Sequence, residues 1–275
     1  MMNPLHHFTL SLVAAVALSA CGGGGSGSTG STTAISSTVM DGLISNALVC
    51  LDSNKNGACD SGEVQGRTGA TGKVTLAVPN AELAGAMLVA MIGTDAVDAD
   101  TGPVTVAYKL TAPAGHPEVI SPLTSMVQLK ISTSNVSLQV AQDYVRTQTG
   151  LAISPLDNFI AGRDHSADHK KAGEISRLLV IGAQNAATAS AAGTSCSEDD
   201  DSDAHSTKTR NASGLLERLA EVRSAAESSE VVQACSKSSI DAHCDSVMKT
   251  KAPTFACTPA TPATPATPAT PATPA

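Results

Sequence analysis

From residue 35 to about residue 119 the chain places apolar residues in short runs separated by turn formers, and from residue 121 the apolar spacing changes to three and four. Lys73-Val74-Thr75-Leu76-Ala77-Val78 alternates, with Val74, Leu76 and Val78 on one face, and Pro79-Asn80 ends it. Val39, the Asp41-Gly42 pair and residues 43–50 predict a strand, a turn and a second strand. Residues 87–92 (MLVAMI) form a nearly continuous apolar run, expected of a buried central strand. Val104, Val106, Tyr108 and Leu110 alternate again. Short strands broken by turns predict a small antiparallel β-sandwich over residues 35–119.

The second pattern is helical. Leu123, Met126, Val127 and Ile131 share one stripe, and Val136, Val140, Tyr144 and Val145 a second that stops at Gly150. Residues 154–160 read as a loop entering a short helix. Ile175, Leu178, Leu179, Gly182 and Ala186 line a longer helix, and Leu215, Leu219, Val222 and Ala226 another, with Ser213 as its cap. Residues 120–257 are therefore expected to be helical, and the fold class is α+β. These stripes read first as helix–helix contacts, with a ligand-binding groove as the sharper alternative. After residue 257 the chain repeats Thr-Pro-Ala. Proline at every third position excludes helix and ladder, so residues 258–275 are expected to be a disordered, polyproline-like arm of roughly 55 Å at ~3.1 Å per residue. The arm reads either as a glycan-bearing stalk or as an unselected repeat expansion.

Composition changes the picture in two ways. Trp is absent and there are only two Tyr and three Phe among 275 residues, so the core must be aliphatic. The net charge of −8 argues against a nucleic-acid surface, which needs clustered Lys and Arg. Seven cysteines with no C-x-x-C spacing speak against zinc ribbons and thioredoxin-like sites.

The first residues supply a reason for the odd count. Residues 8–20 (FTLSLVAAVALSA) are apolar, short for a membrane span, and end in small residues. Leu18-Ser19-Ala20-Cys21 matches the bacterial lipobox, and a Gly/Ser/Thr run follows. The start of the chain resembles a bacterial lipoprotein precursor: residues 1–20 as signal peptide, Cys21 as the lipidated residue, residues 21–34 as a tether with a reach of roughly 20 Å. The resemblance implies a lipid-anchored protein of the bacterial cell envelope, at the outer membrane. Residues 1–7 (MMNPLHH) lack Lys and Arg. An ordinary secretory signal with a nearby cysteine and a displaced start codon are the alternatives, and both still export the chain. Without Cys21, six cysteines remain: Cys50, Cys59, Cys196, Cys235, Cys244 and Cys257. In an oxidising compartment they read as three disulfides. Cys50 with Cys59 is the local pairing, worth about 2–3 kcal/mol by loop closure; the other four allow three pairings.

Between those two cysteines lies the strongest chemical motif. Residues 52–63 read D-x-N-x-N-G-x-x-D-x-x-E, the spacing of a twelve-residue calcium loop. Asp52, Asn54, Asn56, Asp60 and Glu63 are the candidate side-chain ligands, and Ala58 offers its backbone carbonyl. Strand and turn flanks, not helices, exclude an EF-hand sensor. With three carboxylates, the expected site is structural and weak, in the ~10⁻⁴–10⁻³ M class. The alternative is an Asx-rich hairpin loop that satisfies its own backbone.

The longer run D-G-x-I-x-x-A-x-V-C-L-D-x-N-x-N-G-x-C-D-x-G-E, followed by T-G-K-V-T-L-x-V-P, resembles carboxypeptidase-regulatory-like and collagen-adhesin B-type domains over about residues 35–95. The resemblance implies a prealbumin-like sandwich that is a spacer or binding module; Val74 stands where those domains often carry an aromatic residue. Asp95, Asp98 and Asp100 form a second acidic group, and residues 197–203 an acidic run read as a solvated loop. His165 and His169 are four apart but lack the glutamate that metalloprotease chemistry needs, and His116 and His243 have no evident partners. The chain contains no nucleophile elbow, P-loop or dinucleotide fingerprint. The expectation is a non-catalytic envelope module with a protein or glycan partner, attached to the membrane by its lipid; the alternative is an accessory subunit or hydrolase with its site in the helical half.

Overall fold

A computed structural model describes residues 31–83, 85, 87–191 and 214–253. Residues 1–20, read as a signal peptide, Cys21, Cys196, Cys257, Ser213, the acidic run 197–203 and the Thr-Pro-Ala repeat lie outside the described residues. The fold is α+β, with strands in the first half and helices in the second.

The strands are β1 (Thr32–Val39), β2 (Ile44–Ser45), β3 (Leu48–Asp52), β4 (Gln65–Arg67), β5 (Lys73–Pro79), β6 (Met87–Ile92), β7 (Val97–Asp98), β8 (Gly102–Pro103), β9 (Tyr108–Ala112) and β10 (Val119–Ile120). They form sheets of order β10-β1-β5, β2-β7-β8 and β4-β3-β6-β9. All pairings are antiparallel except β1 with β10, which is parallel. The alternation expected for β5 is present: Val74, Leu76 and Val78 are buried and enter one apolar core with Val49, Leu51, Leu88, Ala90 and Ile92 from β3 and β6.

Two details differ from the sequence pattern. β1 begins at Thr32, inside the stretch read as tether, because residues 32–34 pair with Ala77, Val78 and Pro79. The single strand expected over residues 43–50 is broken at Asn46, whose φ of 63° turns the backbone left-handed. The break sends β2 to β7 and β3 to β4 and β6. In the expected strand from Val104, regular pairing begins only at Tyr108.

The helices given bounds among the described residues are α1 (Pro122–Ser134), α2 (Leu138–Thr149), α3 (Phe159–Gly162), α4 (Ala167–Ala191), α5 (Leu219–Ala226), α6 (Ser229–Ala234) and α7 (Ala242–Lys251), with a further helical turn over residues 214–217. Ser121 caps α1 in a reciprocal box with Thr124, and Pro122 sits where the missing N–H costs nothing. The Thr124 hydroxyl also donates to the Thr111 carbonyl at 2.7 Å, tying the start of α1 to β9. Gly150 ends α2 with φ 64°, as its position predicts. On α2 the buried face is Ala141, Val145 and Thr149, while Val140, expected in the stripe, is 51% exposed. On α4 every residue from 172 to 182 is buried, so this helix is enclosed on all sides and not along one stripe.

A second apolar core fills the helical half, with Phe159, Ile175, Leu178, Leu219 and Met248 fully buried. It also takes Met40 and Val119 from the strands. Their chain neighbours Val39 and Ile120 point into the sandwich core. The β1–β10 pair is thus a wall shared by both cores.

Leu178→Ala, in the enclosed part of α4, should cost about 2–5 kcal/mol and lower Tm clearly. Val140→Ala on the exposed face of α2 should stay within about 0.5 kcal/mol, and thermal unfolding of both variants checks the contrast.

Candidate functional site

The loop of residues 52–63 leaves the end of β3 and folds back over the outer face of the four-stranded sheet. Cys50 opposes Val89, and Val89 opposes Thr111, on the face turned away from the sandwich core. Alternation alone would expose that face, yet Cys50 and Val89 are fully buried. A Cys50–Cys59 disulfide crosses to the loop. Lys109, on the same face of β9, donates from Nζ to the Gly57 carbonyl at 2.8 Å. These two ties hold the loop down.

Within the loop, side chains replace a backbone ladder. Asp52, with no exposed surface, accepts from the Asn56 N–H at 3.1 Å and the Gly57 N–H at 2.7 Å. The Asn54 Oδ1 also accepts from the Asn56 N–H, and the Asn56 Oδ1 from the Ala58 N–H, in successive Asx turns. Glu63 reaches back with one oxygen on the Ser53 N–H and the other on the Asp60 N–H, each at 3.0 Å. The amides of Asn54 and Asn56 both donate to the Asp60 Oδ2 at 2.7 Å. The Ala58 carbonyl lies 3.6 Å from the Cys50 sulfur.

Of the six expected ligands, the structure therefore gathers the side chains of Asn54, Asn56 and Asp60 at one place. It assigns the side-chain oxygens of Asp52, Asn54, Asn56 and Glu63 to backbone N–H groups, turns the two amide nitrogens to Asp60, and turns the Ala58 carbonyl to the disulfide. Among the described residues, no group of three or more His, Cys, Asp or Glu side chains is arranged to hold a metal ion. The oxygen donors suit a hard cation in kind.

The other candidates are dispersed. Asp95 pairs with Arg67 at 3.0 Å and accepts from Asn46. Asp98 accepts from the backbone N–H of Asp100 at 2.7 Å and of Gly42 at 3.4 Å, and Asp100 is gripped by both terminal nitrogens of Arg163. Asp95 thus stands apart with Arg67, while Asp98 and Asp100 lie together beside Arg163 and the Asp41-Gly42 turn. His165 is exposed, and the His169 ring packs against Gly162, where a Cβ would fall 2.3 Å from it.

A second disulfide, Cys235–Cys244, joins α6 to α7 and selects one of the three pairings left open by the sequence. Lys109 and the buried Arg177 of α4 were not legible as structural anchors. Lys109 lies at a polar position of an alternating strand, and Arg177 is recognisable only from the continuous burial around it. Comparison with known protein families, with curated proteins and with solved structures found no match.

Gly57 has φ 71°, and a Cβ there would meet Lys109 Nζ at 2.7 Å. Gly57→Ala should cost about 1–3 kcal/mol in a denaturant titration. Gly85→Ala, with open space at its Cβ, should leave the midpoint nearly unchanged.

Proposed function

We propose that this chain is an exported, lipid-anchored, non-catalytic module of the bacterial cell envelope, with the loop of residues 52–63 acting as a structural calcium clip. The observation that carries the reading is the pair of disulfides, Cys50–Cys59 and Cys235–Cys244. Such bonds persist in oxidising compartments, which supports export. The lipobox at Leu18-Ser19-Ala20-Cys21 supplies the anchor, with Cys21 as the acceptor. A lipid on Cys21 leaves the globular part near the membrane surface, facing a protein or glycan partner.

A cleft of about 390 Å³ beside the loop mixes apolar residues, Met87, Pro113, Ile131 and Leu138, with Lys55, Gln128 and Ser132. In the calcium reading, Asn54, Asn56 and Asp60 hold the ion, with Asp52, Glu63 and the Ala58 carbonyl as the remaining donors. The ion supplies stability alone, because a ligand that binds only the folded chain stabilises it by mass action.

Two measurements test the two halves of the proposal separately. Cys21→Ser should move the protein from the detergent-requiring membrane fraction to the soluble extract; retention in the membrane removes the lipid anchor. Chelation of the purified protein should lower Tm and release calcium detected by elemental analysis. An unchanged Tm with no metal released leaves the loop as a purely hydrogen-bonded Asx turn.

A further inference from the structure

A cluster of charges lies between the β-sandwich and the helices, its aspartates and Arg177 buried and Lys249 at its exposed rim. Asp41, in the turn after β1, has almost no exposed surface. Its Oδ2 accepts from Arg177 Nη1 at 3.2 Å, and its Oδ1 is buried without a hydrogen-bond partner. Arg177, in the enclosed part of α4, donates from Nε to Asp245 of α7 at 2.6 Å. The other Asp245 oxygen takes Lys249 at 2.7 Å. From β7 and the turn after it come Asp98 and Asp100, the latter paired with Arg163. The Tyr108 phenol of β9 lies in the field of Asp41, Asp98 and Arg177.

The charges in this seam do not balance. Asp41, Asp98, Asp100 and Asp245 face Arg163, Arg177 and Lys249, which leaves one negative charge without a counterpart. An uncompensated buried charge is costly, and neutralisation by a proton is the usual relief. Asp41 is the place for that proton. It has a single contact with Arg177, a free oxygen and two like charges nearby. Burial, the largest effect, together with Asp98 and Asp100, pushes its carboxyl up to about 7 against the pull of Arg177. Asp245 goes the other way: burial raises it, but the hydrogen bonds from Arg177 and Lys249 prevail and hold it below its ordinary value. Arg177 is held charged by both partners, although burial opposes it.

We propose that the Asp41–Arg177–Asp245 joint is a proton-operated latch between the β-sandwich and the helical layer, closed most firmly when Asp41 carries a proton. In the opened or unfolded chain Asp41 titrates near its ordinary value of 3.8, whereas in the closed seam it titrates near 7. The closed state therefore binds the extra proton between those limits. The Asp41 contribution to closure is fully present below about pH 4, is lost as pH rises from there to about 7, and is constant above. This latch is independent of the lipid anchor and of calcium.

The test uses the full-length protein in two ways. Carboxyl ¹³C NMR should give Asp41 a midpoint near 7, whereas a midpoint below about 5 overturns the proposal. Amide hydrogen exchange, expressed as protection relative to the free peptide, reads the seam at the Met40 N–H, which bonds the Ile120 carbonyl at 2.9 Å. Its protection should fall about tenfold or more between pH ~5 and ~8 in the wild type, and stay level in Asp41→Asn, which cannot ionise. A wild-type protection that is constant across this range, or a fall of equal size in Asp41→Asn, overturns the latch. If Asp41→Asn fails to fold, the two wild-type measurements still decide.

Discussion

The molecule is built around a short wall that faces two ways. Thr38 and Val39 pair in parallel with Val119 and Ile120, and the pleat sends alternate side chains to opposite sides. Val39 and Ile120 enter the sandwich core, while Met40 and Val119 enter the helical core. The helices lean on the same wall: α1 starts directly after β10, and its capping residue Thr124 is bonded to the end of β9. α4 then lies between the wall and the remaining helices, and its enclosure follows from being covered on every side.

The four-stranded sheet has a related difficulty and a different solution. On its outer face Cys50 and Val89 are buried. The loop of residues 52–63 lies over them, tied down by the Cys50–Cys59 disulfide and by Lys109. It has no ladder of its own, so Asp52, Asn54, Asn56 and Glu63 satisfy its N–H groups one by one. In the described structure its acidic and amide residues therefore work first on the backbone, whatever ion they also attract.

Residues with strong local signals were legible in the sequence. The alternation of β5, the stop at Gly150 and the Cys50–Cys59 bridge all rest on short-range chemistry, and each is present. What was hidden depends on distant partners. Asn46 breaks a strand because two sheets compete for its flanks, and Val140 is exposed because α2 turns a neighbouring face to the core. Arg177 appeared as one more polar residue on a helix; its meaning is fixed by Asp41 and Asp245, which the chain supplies far away on either side. For the loop, the spacing revealed the oxygen donors but not how many were already committed to N–H groups.

The shared wall also bears on the order in which the chain can become structured. A chain emerging N-terminus first delivers β1 long before β10, and Asp41 is 136 residues ahead of the arginine that meets it. Until β10 arrives β1 has only β5 beside it, and until the helices arrive Met40 presents an apolar side chain and Asp41 a carboxylate to water. The strands can pair early, but the side of the wall that carries Met40 and Val119 stays uncovered until the helices arrive. Asp245 arrives 68 residues after Arg177. Helix α7 therefore does more than extend the fold: its arrival completes the charged joint that closes the first half against the second.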